Sequence, residues 1–133
     1  MGAAIPWHAC ALGKSIVAFL DEPAQAEALA TERQPLTGKT LVEAKAVKAE
    51  LERVRRDALA VEDQETILGD AGIAAPVFDN RGGVVGAIGV TGPVERLLPI
   101  KGMPPAAQLV REAARALSRE LGAGRLAGAR SGA

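Results

Sequence analysis

The feature that most constrains the fold is a pair of β-rich runs in the second half of the chain. Residues 73–78 and 84–90 are short and apolar, and the sequence Asp-Asn-Arg-Gly-Gly separates them. Two such runs joined by a short glycine-containing loop predict an antiparallel β-hairpin. The second run has small apolar residues on both faces, so we expect it to be a central strand covered on both sides.

Apolar residues at helical spacing surround this hairpin. They predict three helices before it, over about residues 12–20, 22–30 and 43–56, and one after it, over about residues 106–121. Residues 59–61 form a further short strand candidate. The order α-α-α-β-β-β-α keeps strands and helices apart, which indicates an α+β fold rather than alternating βαβ units.

Composition narrows the class of protein. The 133 residues allow one domain, and sixteen basic and sixteen acidic residues cancel. Binding to nucleic acid rests on excess Lys and Arg, so we do not expect this chain to bind DNA alone. No apolar run reaches the length of a membrane span, no signal peptide is recognisable, and one cysteine fits a reducing cytosol. We therefore expect a cytoplasmic protein, with a disordered tail at residues 123–133.

The residues that could support catalysis are few. His8, Cys10 and Asp63 could form a nucleophile, base and acid, but residues two apart do not face each other on a helix. One His and one Cys cannot build a metal site without a cluster of carboxylates at metal-loop spacing. The glycines at 82–83 do not open a helix, so they bind no nucleotide. We predict no catalytic site, no metal and no cofactor, and keep a small Cys/His enzyme as the remote alternative.

A binding pocket is the more specific expectation. Residues 6–13 lead directly into the first helix, and a helix start offers free backbone N–H groups to a small anion or carboxylate. The later strands bring Glu62, Gly72 and residues 89–91, where small side chains leave space and Thr91 supplies a hydroxyl. Pockets of this kind are mostly apolar with a few polar groups.

Five segments together resemble the effector-binding domain of IclR-family bacterial transcriptional regulators. The string Pro-Trp-His-Ala-Cys-Ala-Leu-Gly-Lys resembles the family pattern P-x-H-A-[ST]-x-x-G-K, and Ile-Ala-Ala-Pro-Val-Phe-Asp resembles [IV]-A-A-P-[VI]-F-D. The matches follow the family order over nearly the whole chain, at residues 6–18, 51–65, 73–79, 84–93 and 110–122.

The resemblance implies a GAF-like fold, an antiparallel sheet flanked by helices, that binds an organic or aromatic acid. It implies a homodimer or homotetramer whose DNA binding is carried by a separate winged helix-turn-helix domain. The effector carboxylate would meet the backbone at Ala11 and Leu12. The remaining pocket positions fall on Glu62, Gly72, Gly89 and Thr91.

Several positions depart from the family pattern. Gly72 stands where the family often has Cys, and Gly89 where it often has Ser, which predicts a roomier pocket and a bulkier or more apolar acid. Glu62 replaces Asp and would narrow the pocket. Ala58 stands where the family has a Gly, which would cost about 1 kcal/mol if that residue is left-handed.

The expected domain is residues 1–122, a partial effector-binding domain that lacks the family's first helix and strands. The alternative is a stand-alone GAF-like sensor or protein-interaction module without a DNA-binding domain of its own.

Overall fold

The computed structural model describes residues 6–99 and 101–122, and the predicted tail at 123–133 lies outside them. The predicted order of elements is confirmed, with a short helix added in the proline-rich connection after the hairpin. A 3₁₀ turn at Trp7–Ala9 comes first. The elements that follow are α1 (Ala11–Val17), α2 (Glu22–Ala30), α3 (Ala44–Asp57), β1 (Ala60–Asp63), β2 (Asp70–Phe78), β3 (Val84–Pro93), α4 (Val94–Leu97) and α5 (Ala106–Glu120).

The three strands form one antiparallel sheet in the order β1-β2-β3, and the predicted hairpin is β2–β3. The expectation that the second run is a central strand is wrong. Within the described residues β3 pairs only with β2, and Val85 and Val90 on it are 56% and 40% exposed. The central strand is β2, in which residues 71–77 are all buried. Small apolar side chains on both faces show only that the strand carries no charge. They do not determine which strands pair with it.

Helices cover both faces of the sheet. On one face Ala60 and Ala74 pack against α1 and α3 through residues such as Val17 and Leu51. On the other face Ile73, Ala75 and Val77 pack against α5; its contributions are Ala107, Val110 and Ala114. Alternate residues of β2 therefore serve two separate cores, as the two-residue period of a strand requires.

A close contact between Trp7 and Gly13 fixes the position of the 3₁₀ turn that precedes α1. A Cβ atom on Gly13 would lie 2.4 Å from the Cα atom of Trp7 and 2.7 Å from its carbonyl oxygen. The 3₁₀ turn can therefore lie against α1 only because residue 13 has no side chain. This contact brings the start of α1 over the sheet.

Helix α3 ends in a left-handed residue. Ala58 has φ 51° and ψ 41°, and its N–H bonds to the carbonyl oxygen of Val54. This is the conformation for which glycine is the usual choice, so the expected penalty at Ala58 has a structural basis.

We expect the substitution Ala58→Gly to raise the free energy of unfolding by about 1 kcal/mol, because it relieves a left-handed alanine. Ala49→Gly, at an exposed position inside α3, is the matched control and should lower it by about 1 kcal/mol. Urea unfolding followed by circular dichroism measures both. Shifts of the same sign in the two variants would contradict this account of the cap.

Candidate functional site

The four predicted pocket residues on strands lie in two successive rows on one face of the sheet. Glu62 pairs with Gly72, and Gly72 pairs with Thr91, so one row crosses all three strands. The next row contains Ala74 paired with Gly89. Paired residues point to the same face of a sheet, and Ala74 lies in the core under α1 and α3. The register therefore directs the strand residues of the predicted pocket toward α1.

Four of the predicted residues meet around Gly72. A Cβ atom there would lie 3.5 Å from the Cβ of Ala11, 3.5 Å from Oε1 of Glu62 and 3.6 Å from Cγ2 of Thr91. These are ordinary van der Waals distances, so Gly72 leaves room for a small side chain. The roomier floor that the sequence predicts at this position stays a prediction.

The same expectation is wrong at Gly89. A Cβ atom on Gly89 would lie 2.7 Å from the carbonyl oxygen of Ile73 and 3.2 Å from Cδ2 of Leu12. The space that a serine side chain would need is filled by β2 and by the start of α1. Gly89 thus allows a close approach, as its place in a strand suggested, and adds no empty volume.

A cleft of about 730 Å³ opens between the start of α1, the β1–β2 connection and β3. We call it the α1–β3 cleft. Ala11, Leu12, Glu62, Gly89 and Thr91 line it, so the structure brings five of the six predicted residues to one cavity, with Gly72 directly beneath. Cys10 and Val90 also line it and lie in the predicted segments 6–13 and 89–91, whereas sequence reasoning missed Thr66, Ile67, Asp70, Ala71 and Ile73.

The lining residues that sequence reasoning missed come from one region of the chain. Most of them lie in the connection after β1 or in the first residues of β2, which begins at Asp70 rather than at residue 73 as predicted. Thr66 is fixed there by a 2.7 Å hydrogen bond from its Oγ1 to the carbonyl oxygen of Ala9. No periodic pattern in the sequence signals such a contact between two loops.

Glu62 is the buried charged group of the cleft. Its side chain accepts a 2.6 Å hydrogen bond from the backbone N–H of Glu65, and the residue is 5% exposed. Burial raises the pKa of Glu62, and the backbone N–H groups of Glu65 and Thr66 and the charge of Lys14 only partly oppose this. Asp70, which is exposed, is the other charged side chain that lines the cleft.

A buried ion cluster lies next to the cleft. Nζ of Lys14 contacts Oε2 of Glu50 at 2.8 Å and both carboxylate oxygens of Glu65 at 2.8 and 2.9 Å. Lys14 is 1% exposed, and Arg53 also binds Glu50. Burial lowers the pKa of Lys14, and the charge of Glu65 opposes this shift. The cluster ties α1 to α3 and to the β1–β2 connection.

The sequence contains a signal for this cluster in the spacing of α1. Ala11, Lys14, Ser15 and Ala18 have the spacing of one helical face, and all four are buried. A lysine inside such a stripe needs buried acidic partners, because an unpaired buried charge is strongly unfavourable. The spacing cannot say which acids they are.

The Cys/His arrangement is not assembled. Nε2 of His8 lies 2.9 Å from the carbonyl oxygen of Gln34, and Asp63 lies 3.5 Å from Nζ of Lys39. Sγ of Cys10 accepts a 3.4 Å hydrogen bond from the N–H of Gly13 at the start of α1. The three side chains are held by separate partners, which gives no basis for a nucleophile and base.

The start of α1 offers fewer free N–H groups to a carboxylate than the sequence suggested. Helix α1 has only seven residues, and Cys10 already accepts hydrogen bonds from two of its early N–H groups, those of Gly13 and Lys14. A short helix has a small dipole, and the remaining N–H groups at Ala11 and Leu12 are few. These two residues line the cleft, but the backbone there offers little to a carboxylate.

A second cavity of about 430 Å³ lies on the α5 side. It is lined by Arg111, Arg115 and Arg119, among others, and Arg111 donates to the carbonyl oxygen of Asp57 at 2.9 Å. None of the predicted pocket residues reaches it.

Among the described residues no helix is long and apolar enough to span a bilayer, and none of their His, Cys, Asp and Glu side chains group as a metal site.

The fold is that of the C-terminal domain of a bacterial transcriptional regulator. Residues 1–119 match the family model described as bacterial transcriptional regulator IclR C-terminal. The chain belongs to this family, as the sequence motifs indicated.

The glycerol operon regulatory protein of Streptomyces griseus is 48% identical to this chain over 128 residues, which are 94% of the chain and 49% of that protein. The chain thus spans about half the length of the curated relatives it matches. These relatives are transcriptional regulators and repressors, which removes the enzyme alternative.

Two solved structures support the same assignment. The Thermotoga maritima IclR crystal structure has a TM-score of 0.80 and 28% identity, covering 92% of this chain and 49% of that one. An inducer-binding domain of the Acinetobacter transcription factor PobR, a double mutant in complex with 3-hydroxybenzoic acid, has a TM-score of 0.78 and 26% identity. It covers 89% of this chain and 68% of that one.

We expect Lys14→Met to lower the free energy of unfolding by about 3–5 kcal/mol, because it leaves Glu50 and Glu65 buried without their cation. Lys48→Met, at an exposed position on α3, is the control and should change it by less than about 0.5 kcal/mol. Adding Glu50→Gln and Glu65→Gln to Lys14→Met should recover part of the loss. Chemical unfolding of the four proteins tests this, and no recovery would contradict the charge account.

The raised pKa of Glu62 predicts a pH-dependent effect of Glu62→Gln. A folded-state pKa above the ordinary 4.5 means that neutral Glu62 stabilises the fold at low pH, and that this stability is lost as pH rises through the folded-state pKa. Relative to wild type, the Gln variant should therefore be more stable at about pH 8 than at about pH 4.5. Urea titrations at both values, with Glu27→Gln on α2 as control, measure the difference. A difference that does not grow with pH would disprove the shift.

Proposed function

We propose that this chain is the effector-binding domain of an IclR-family regulator and that the α1–β3 cleft holds its small-molecule effector. The observation that carries the proposal is the row formed by Glu62, Gly72 and Thr91, which lies beneath the start of α1 and borders a cleft of about 730 Å³. A cavity of this size suits a small organic molecule. Ala11, Leu12 and Gly89 complete the proposed binding residues.

Two classes of effector are candidates. The family resemblance implies an organic or aromatic acid, and the inducer-binding domain of PobR holds 3-hydroxybenzoic acid at 26% identity to this chain. A small polyol is the second candidate, because relatives at 48% and 43% identity are named as glycerol operon regulators. The acidic lining of the cleft bears on this choice.

The proposed mechanism is a ligand-linked shift between two arrangements of a larger regulator. An effector that contacts Ala11 and Leu12 would favour one position of α1 over the sheet. The ion cluster around Lys14 joins α1 to Glu50 on α3. A displacement of α1 would therefore also displace α3. The effector can shift the regulator only by the difference between its affinities for the two arrangements.

Assembly and DNA binding belong to the same proposal. We propose that the regulator acts as a homodimer or homotetramer in the cytoplasm, and that a separate winged helix-turn-helix domain contacts DNA. Residues 1–122 would form part of the effector domain, and residues 123–133 a tail. A stand-alone GAF-like sensor remains the alternative, and the sequence encoded upstream of this chain distinguishes the two.

A substitution that fills the cleft tests its role. We expect Thr91→Trp to abolish the thermal stabilisation that effector candidates, with glycerol and 3-hydroxybenzoate as first probes, give the wild-type chain. The reason is steric, since Thr91 is an exposed residue of β3 at the cleft wall. Val85→Trp, at an exposed β3 position outside the cleft, is the matched control and should keep the response. Equal responses in both variants would place the ligand elsewhere.

A further inference from the structure

We propose that the α1–β3 cleft selects an uncharged, hydroxyl-rich ligand and disfavours carboxylates. This inference rests on the proposed function and names the class of ligand for the same cleft. It replaces the organic acid implied by the family resemblance. Three properties of the cleft support it: the sign of its charges, the hydrogen-bonding groups it leaves open, and its apolar walls.

The first property is charge. Both charged side chains that line the cleft, Glu62 and Asp70, are acidic, and no Lys or Arg among the described residues lines it. The buried cation nearby, Lys14, has its ammonium group in contact with Glu50 and Glu65. At a pH above the raised pKa of Glu62, a bound carboxylate would meet two like charges without a neutralising side chain, which is unfavourable in a partly desolvated cavity.

The second property is the set of polar atoms that remain open. Glu62 is oriented by the N–H of Glu65, and its Oε1 lies on the Gly72 side, 3.5 Å from where a Cβ would stand. Within residues 6–99 and 101–122 the side chains of Asp70 and Thr91 make no hydrogen bond. An ionised carboxylate can only accept hydrogen bonds, so these two side chains favour a ligand that donates them.

The third property separates a hydroxyl from an ammonium group. The Thr91 hydroxyl both donates and accepts, and a ligand hydroxyl can serve it in either sense, whereas an ammonium group only donates. The apolar part of the wall includes Ala11, Leu12 and Ile67. Transfer of a full positive charge into such a wall is more costly than transfer of a neutral polyol.

Matched pairs of ligands that differ in charge test the inference. Isothermal titration calorimetry of the 133-residue chain at about pH 8 compares glycerol with glycerate, ribitol with ribonate, and 3-hydroxybenzyl alcohol with 3-hydroxybenzoate. We expect the alcohol of at least one pair to bind, with the polyols preferred and each acid weaker by about tenfold or more. The amine 3-amino-1,2-propanediol should bind more weakly than glycerol.

Two variants link this preference to the cleft carboxylates. Glu62→Gln keeps an acceptor for the Glu65 N–H, and Asp70→Asn changes an exposed residue; each should reduce the alcohol-to-acid ratio several-fold. Glu27→Gln, which removes the same charge from exposed α2, should leave the ratio unchanged. If Glu62→Gln does not fold, Asp70→Asn carries the comparison.

The outcomes separate this inference from the proposed function. Acids that bind as tightly as the alcohols, and are blocked by Thr91→Trp, leave the effector cleft in place and overturn the ligand class. Tighter binding of the amine, or an alcohol preference that neither carboxylate variant changes, also overturns it. If no ligand of either class binds, the effector cleft itself is rejected together with the inference.

Discussion

The contact between Lys14 and the carboxylates of Glu50 and Glu65 is the interaction on which the rest of the arrangement depends. A lysine that is 1% exposed is strongly unfavourable unless its charge is matched. Here one ammonium group binds one acid from α3 and one from the β1–β2 connection. Replacing such a cluster by apolar residues is often neutral for stability, so its visible consequence is the connection it makes between α1, α3 and the β1–β2 connection.

The position of α1 creates the cleft. Gly13 allows the 3₁₀ turn to touch α1, and Gly89 allows Leu12 to approach the sheet, so the start of α1 lies directly over the row of Glu62, Gly72 and Thr91. Glu65 takes part in both features, because its carboxylate holds Lys14 and its backbone N–H holds Glu62. The ion cluster and the α1–β3 cleft are therefore one connected structure, joined through Glu65.

The fold was largely predictable because it depends on local patterns. Helix α2 was predicted at its observed bounds, and the Asp21 side chain caps it by accepting from the N–H of Ala24. The hairpin followed from its loop, and Ala58, which stands where the family has a Gly, is left-handed. Predictions about neighbours were less reliable: β3 was expected at the centre of the sheet, and β2 took that place. Local sequence shows which side chains are apolar, whereas strand order depends on which backbone groups find partners.

The sequence by itself determined the class of fold, the order of its elements, the family and five of the residues that line the cleft, because these depend on periodicity and on short motifs. Only the tertiary structure decided that Gly89 is filled rather than open, that Lys14 is buried against two acids, and that Glu62 and Asp70 give the cleft a negative lining. Each of these facts joins residues far apart in the chain. Their distances and burial are set by packing of the whole domain, and no local pattern records them.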